Sequence, residues 1–455
     1  EHKGLRWLRE MVGMRWASWL HLLVVLQVQM QALAERAVPT ACDEDVCRCD
    51  SFTRLICHCS EHVKEMTLRP EGSYRVPSTA TAIIIENCER VIFLTETARK
   101  LTQLRSVQLR NISNVVISER ALAWSPFSID NEMNPGLRIE ISNSTVYEIS
   151  SHAIQGRVND ILISDSNILS LRPFAFSSLT GVKNIHLTNN IYHNVEIQAF
   201  KKFTTSNFLL RGGTARTLPS RFLSDVEVTN FFRIEGVTID LLSSLTFLVS
   251  LPKRVLIENN IIHTLNADSF HISTRGPVTI RNNTVTTIGK GAFLGFTVDR
   301  EIIAAMGRQE LLIDNNTMTT ITPASLAYNQ STLTLRIDGL NLNETCTCEL
   351  AEVWREMLNA QGAIINCWYE LEGHYISIPT FIDSRCGAFK QTFWIFVVVG
   401  IVLVIVIAGI VIFFIVKREN EKKKKIQIVM PDGKTYRETE FHVVLERAEL
   451  LTTNL

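Results

Sequence analysis

Three four-residue phrases, Ile257-Glu258-Asn259-Asn260, Ile280-Arg281-Asn282-Asn283 and Ile313-Asp314-Asn315-Asn316, stand 23 and 33 residues apart along the chain. In each, an apolar residue lies two positions before the Ile. The second Asn is followed at plus five and plus ten by Leu265 and Phe270, Ile288 and Phe293, Ile321 and Leu326. A long fixed period restricts the chain to stacked coils, because one short unit cannot bury its own apolar residues and must lean on its neighbours.

The pattern runs well beyond these three units. With Cys88, Ile112, Ser144, Ser166, Asn190, Gly213 and Val237 as equivalent positions, plus five is Phe93, Ile117, Ile149, Leu171, Val195, Leu218 and Leu242. Plus ten is Ala98, Leu122, Ile154, Phe176, Phe200, Leu223 and Phe247. Ten units thus obey one template, and Leu335-Arg336-Ile337 supplies an eleventh strand. The Asn belongs to the turn: at 190, 260, 283 and 316 a side-chain amide offers both donors and an acceptor to backbone groups shut between coils.

Over roughly residues 80–340 this template resembles the leucine-rich repeat of extracellular proteins, with Ile and Phe at many Leu positions. The resemblance implies an α/β-type solenoid, a horseshoe with short parallel strands on its concave face and disulfide caps at both ends. A parallel β-helix, which also stacks asparagine ladders, is the alternative architecture. Two intervals are longer than the rest and place extra chain at Ala123–Gly136 and Leu294–Gln309, either binding loops or tolerated insertions.

The ten cysteines fall at the two ends of the array. By the family resemblance the pairs are Cys42 with Cys49, Cys47 with Cys57, Cys346 with Cys367, and Cys348 with Cys386; spacing alone leaves connectivity open. Cys88 occupies the turn of the first coil, facing the cap that holds Cys59, so these two are expected to pair. The competing reading is a zinc site built from Cys47, Cys49, Cys57, His58, Cys59 and His62. An even cysteine count at the ends of a secreted solenoid favours disulfides, and no metal or cofactor is expected. Leu350, Val353, Trp354, Met357 and Leu358 recur at helical spacing, as a helix covering the last coil would require.

Residues 1–34 are read as upstream residues and a signal peptide, with a basic start at Met14-Arg15, an apolar stretch Leu20–Val28 and an Ala32-Leu33-Ala34 cleavage site. The N-terminal cap follows at 35–79, the repeats at 80–341, the C-terminal cap at 342–387 and a linker at 388–392. Residues 393–416 contain no charge over 24 positions, long enough at about 1.5 Å per residue to cross a bilayer core of about 30 Å. Lys417, Arg418 and Lys422–Lys425 follow, so the positive-inside bias assigns 417–455 to the cytoplasm and the N-terminus to the outside of a plasma membrane. Sequons at Asn111, Asn143, Asn282, Asn315, Asn329 and Asn343 all lie on that outer side.

No catalytic constellation emerges, and a formal net charge of zero leaves no electrostatic footprint for nucleic acid. The informative surface is the concave face, where two outward columns flank the buried strand residues. One reads Glu86, Arg110, Ser142, Ser164, Thr188, Arg211, Glu235, Glu258, Arg281, Asp314 and Asp338; the other includes Ile84, Gln108, Glu140, Leu162, His186, Leu209, Arg233, Leu256, Thr279, Leu312 and Arg336. Aliphatics interleaved with mixed charge suit an extracellular or cell-surface protein partner, and Leu162, Leu209, Arg233, Glu235, Leu256, Glu258, Arg281, Leu312 and Asp314 are the candidate contacts. In the tail, Thr453-Asn454-Leu455 fits a PDZ-domain ligand and Glu446-x-x-x-Leu450-Leu451 resembles a dileucine endocytic signal. The expectation is a non-enzymatic, membrane-embedded surface glycoprotein for adhesion or reception. A matrix-organising glycoprotein and an innate-immune co-receptor are the alternatives.

Overall fold

The computed structural model describes residues 40–424 except 51–52, 61, 73, 125–135 and 387. The expected signal segment, most of the first inserted loop and the tail motifs at Glu446, Leu450, Leu451, Thr453 and Leu455 lie outside the described residues. The chain divides into two compact units that meet in sequence between Thr380 and Phe381.

The first unit is a β-solenoid of about 12 turns. Its coils carry three parallel sheets. The first sheet runs from Arg54–His58 and Ala82–Glu86 through Arg254–Glu258 and Val278–Arg281 to the opening half of Leu333–Thr345. The second includes Arg90–Phe93, Thr145–Ile149, Ile261–Leu265 and Thr284–Ile288. The third includes Leu122–Trp124, Phe176–Thr180, Phe247–Ser250 and Phe270–Thr274.

This corrects the horseshoe that the leucine-rich-repeat resemblance implies. A horseshoe carries one sheet and a convex back, whereas here the residues after the Asn form a second sheet and the plus-ten residues open a third. Thr284-Val285-Thr286-Thr287-Ile288 is itself a strand, in register with Ile261–Leu265. Phe247, Phe270 and Phe296 stack at centroid distances of 5.6 and 5.6 Å along the third sheet, and Phe176 lies 4.5 Å from Phe200. Phe222 meets both Phe200 and Phe247 edge-on, closing the gap between those stacks. Such contacts add about 0.5–1.5 kcal/mol each beyond the apolar area they bury.

The two asparagines of each phrase serve different purposes. Asn259, Asn282 and Asn315 have φ of 58°, 54° and 47°, the left-handed region that a short amide tolerates best among non-glycine residues. Each turns the chain from the first sheet to the second. The following Asn points inward: Asn283 Nδ2 donates to the Ile257 carbonyl (2.9 Å) and to Asn316 Oδ1 (2.9 Å), and its Oδ1 accepts from the Asn260 backbone N–H (3.0 Å). Where the Asn is missing, serine continues the ladder, with Ser144 Oγ accepting from the Ile112 N–H (3.1 Å) and Ser166 Oγ from the Ser144 N–H (3.2 Å). At Gly213 it breaks for a steric reason: a Cβ there would meet the Asn190 carbonyl oxygen at 2.0 Å, and φ is +77°.

The ends are closed by disulfides joining Cys42 to Cys49, Cys47 to Cys57, Cys59 to Cys88 and Cys346 to Cys367. Cys348 and Cys386 are disulfide-bonded as well, so none of the cysteines in the zinc reading is a free thiol. Helix α1, Arg300–Met306, occupies the second inserted loop. Helix α2, Cys348–Gln361, is capped by the Thr347 side chain accepting from the Leu350 N–H (3.1 Å) and buries Ala351 and Trp354. In the second unit, helix α3 spans Ala388–Lys424. Its segment Phe393–Lys422 is long and apolar enough to cross a membrane, and apolar side chains from Phe393 to Val416 stand exposed along it.

Asn283→Ala removes the acceptor of the Asn260 N–H and a donor to the Ile257 carbonyl, both buried. The Asn260 amide is expected to exchange with solvent deuterium about 5- to 150-fold faster, corresponding to a loss of about 1–3 kcal/mol locally. Unchanged protection measured by NMR would show that the ladder does not hold the coils.

Candidate functional site

The first sheet sets the outward residues in register from coil to coil. Glu140, Leu162, His186, Leu209, Arg233 and Leu256 are direct neighbours in sequence of coils, as are Ser142, Ser164, Thr188, Arg211, Glu235 and Glu258. Leu312 and Asp314 extend these columns beyond Thr279 and Arg281. The candidate contacts therefore lie on one face, although it is a flank of a three-sided coil and not a concave surface.

Charge is distributed unevenly along that face. Toward the N-terminal coils, Arg110 pairs with Glu86 (3.2 Å) and Glu140 (3.4 Å), and Arg138 also reaches Glu140 (3.3 Å). Toward the C-terminal coils, Arg211 pairs with Glu235 (2.8 Å), Arg233 reaches Glu235 (3.2 Å) and Glu258 (2.5 Å), and Arg281 reaches Glu258 (2.5 Å). Between the two networks, Leu162, His186 and Leu209 stand half-buried beside Ser164 and Thr188, an uncharged window.

Glu258 differs from its neighbours in that its side chain is only 1% exposed, lying beneath two guanidinium groups. Burial alone would raise its carboxyl pKa. Hydrogen bonds from Arg281 and Arg233, with their charges, outweigh that and hold it below the usual glutamate value. Glu258 thus anchors the network from beneath and presents little of itself to a partner. In the window, burial lowers the pKa of His186, with Asp160 opposing and Arg211 reinforcing the shift, so the ring stays neutral at neutral pH. Its Nε2 is buried without a hydrogen-bond partner.

Sequence reasoning missed a second polar ladder on the entering edge of this sheet. Asn184 Nδ2 donates to Asp160 Oδ1 (2.7 Å), Asn207 to Asn184 (2.8 Å) and Asn230 to Asn207 (2.9 Å). Their spacing of 24, 23 and 23 residues matches the repeat and was the available signal. Also missed were left-handed residues at Ser178, Lys202 and Asp225, which bulge three successive strands of the third sheet. Beside them lies an open groove of about 630 Å³ lined by Thr180, Lys202, Thr204, Asp225 and Glu227 among others.

Four sequon asparagines, Asn111, Asn143, Asn282 and Asn315, occupy the left-handed turn between the first and second sheets and are exposed. Asn343 is exposed on the second sheet, and Asn329 is half-buried in a turn where its Oδ1 accepts from the Ser331 N–H (3.2 Å). The left-handed turn itself selects asparagine, which accounts for the alignment of the four without reference to glycans.

A family model described as right handed beta helix region matches residues 125–318, and no curated protein matches the chain. The fold is a right-handed β-helix. The matched part of the helix includes the uncharged window and the Arg–Glu network on its C-terminal side.

Because the folded-state pKa of Glu258 is depressed, the stability it contributes is complete above the ordinary glutamate pKa and is lost as pH falls through the depressed value. Glu258→Gln should lower stability at pH 7 by about 1–3 kcal/mol, and the gap from the parent chain should close below about pH 4. A gap independent of pH in thermal unfolding would mean that charge is not what Glu258 contributes.

Proposed function

We propose that this chain is a membrane-anchored surface protein whose β-helix binds a protein partner through the outer face of its first sheet, acting in adhesion or reception without catalysis. The observation that carries the reading is the alignment of Leu162, His186 and Leu209 into an uncharged window with an ion-pair network at each end. An apolar centre with a charged rim is the anatomy of a specific interface, where the centre supplies affinity and the rim supplies orientation. A row of half-buried aliphatics on an otherwise solvated sheet face has no internal packing role, since the inward residues of the same strands, such as Ile163 and Leu210, already fill the core.

In this reading α3 is the anchor, oriented with the solenoid outside by the lysines after residue 416. The tail from 417 to 455 links the protein to PDZ-type adaptors through Thr453-Asn454-Leu455 and to endocytosis through Glu446, Leu450 and Leu451. Glycans on Asn111, Asn143, Asn282 and Asn315 would line the edge between the first two sheets and leave the third bare.

Crosslinking at the surface of cells that carry the full chain tests the reading. The double variant Leu162→Glu with Leu209→Glu is expected to lose captured partner at least about tenfold, while Tyr147→Glu, on the second sheet, retains it. Equal capture by the double variant would move the site off the first sheet.

A further inference from the structure

The outward face of the first sheet is complementary to itself when reversed about the His186 strand. Counting coils away from that strand in the two directions pairs Leu162 with Leu209, then Glu140 with Arg233, Arg110 with Glu258, and Glu86 with Arg281. One coil further, Arg54 matches Glu310, Ile56 matches Leu312, and His58 matches Asp314. Within these coils no position sets like charge against like, and in the columns of His186 and Thr188 apolar meets apolar or neutral; at the entering edge Phe231 meets Arg138.

We infer that the partner of this face is a second copy of the chain, docked face to face about a two-fold axis that lies along the His186 strand, with the two β-helices antiparallel. The inference rests on the proposed protein-binding role of the face and names its occupant. A two-fold contact is isologous, so each charge pair occurs twice. The matched stretch spans eleven coils, about 48 Å at about 4.8 Å per coil. With a strand width of about 14 Å this buries about 1,300 Å² in total, within the range of specific interfaces. The exposed members of the pairs support the match: Arg281 is 47% and Arg54 52% exposed, against 24% for Glu86 and 44% for Glu310. Glu258, covered by its own arginines, adds least.

The antiparallel order has a consequence for function. Each chain leaves its solenoid at the C-terminal cap, so the two chains leave the pair at opposite ends. That geometry serves copies carried on facing surfaces better than neighbours on the same one.

The test uses the full-length chain in detergent and measures its mass by light scattering and sedimentation. The parent chain is expected to form a dimer. Leu162→Arg and Leu209→Glu, each alone, place a charge against an apolar side chain of the other copy and should weaken self-association at least about tenfold. Mixed together, the two variants should recover a dimer, because the arginine introduced at position 162 of one copy then faces the glutamate introduced at position 209 of the other, while the second site keeps its leucines. Recovery also shows that both variants are folded. A monomeric parent chain, a dimer insensitive to either substitution, or variants that fail to recover on mixing while their thermal unfolding matches the parent would each overturn the inference. If the parent is monomeric and the glutamate double variant nevertheless loses a crosslinked surface partner, the protein-binding reading stands and only the homotypic one falls.

Discussion

Every coil of the solenoid depends on one constraint, that the chain must reverse direction out of each strand while staying in register with the coil before it. The left-handed residue at the first turn achieves the reversal. Its N–H also donates to the carbonyl of the next coil, as Asn259 does to Arg281 (3.1 Å) and Asn282 to Asp314 (3.0 Å). A second column at Glu96, Arg120, His152, Phe174, Gln198, Arg221, Leu245 and Asp268 repeats the device between the second and third sheets. These residues are poorly suited to a conformation costing about 1–2 kcal/mol. They persist because each closes a backbone bond to the following coil, as from Arg221 to Leu245 (2.7 Å). Inward amides and hydroxyls then satisfy the groups that the reversal exposes, and the stacked phenylalanines fill what remains.

The repeat, its register and the outward columns were legible in the sequence because an apolar period fixes which residues share a row whatever the coil's cross-section. The cross-section was not. A leucine-rich repeat and a β-helix both place a strand, an inward Asn and apolar residues at plus five and plus ten, so the template cannot separate them. What separates them is the conformation between those landmarks. Thr284-Val285-Thr286-Thr287 and Thr317-Met318-Thr319-Thr320 are largely β-branched and alternate, which favours a second strand over an irregular return. Phe270-His271-Ile272 alternates again and makes the third. The role of the first Asn in each doublet was hidden for a different reason: left-handed φ leaves no hydrophobic trace, and its column admits Asn, Asp and Gly alike.

For the candidate site, the sequence named the residues but not their relation. Leu162, Leu209 and Leu256 looked equivalent as a column of aliphatics. In the sheet they divide, since Leu162 and Leu209 flank a neutral His186 while Leu256 is enclosed by the Arg233, Glu258 and Arg281 network. Glu258 likewise looked like a surface carboxylate on the binding face and is a buried counterion. Both distinctions follow from ion pairs between coils 23 or 24 residues apart, which a linear reading does not weigh.

The same in-register stacking links stability to recognition. A solenoid grows by adding coils, and each coil contributes one outward residue per column, so the order of charges along a face is free to vary without disturbing the core. Between neighbouring coils, however, charges are largely neutralised, as Arg211 by Glu235 and Glu258 by Arg281. A chain that pairs its charges internally in this way has a surface of mixed sign, and such a surface can meet its own reverse if its apolar positions lie near the centre of the sequence of charges. Here the centre is His186 with a leucine on either side, and the opposite signs at equal distances from it follow a symmetry that internal pairing alone does not require.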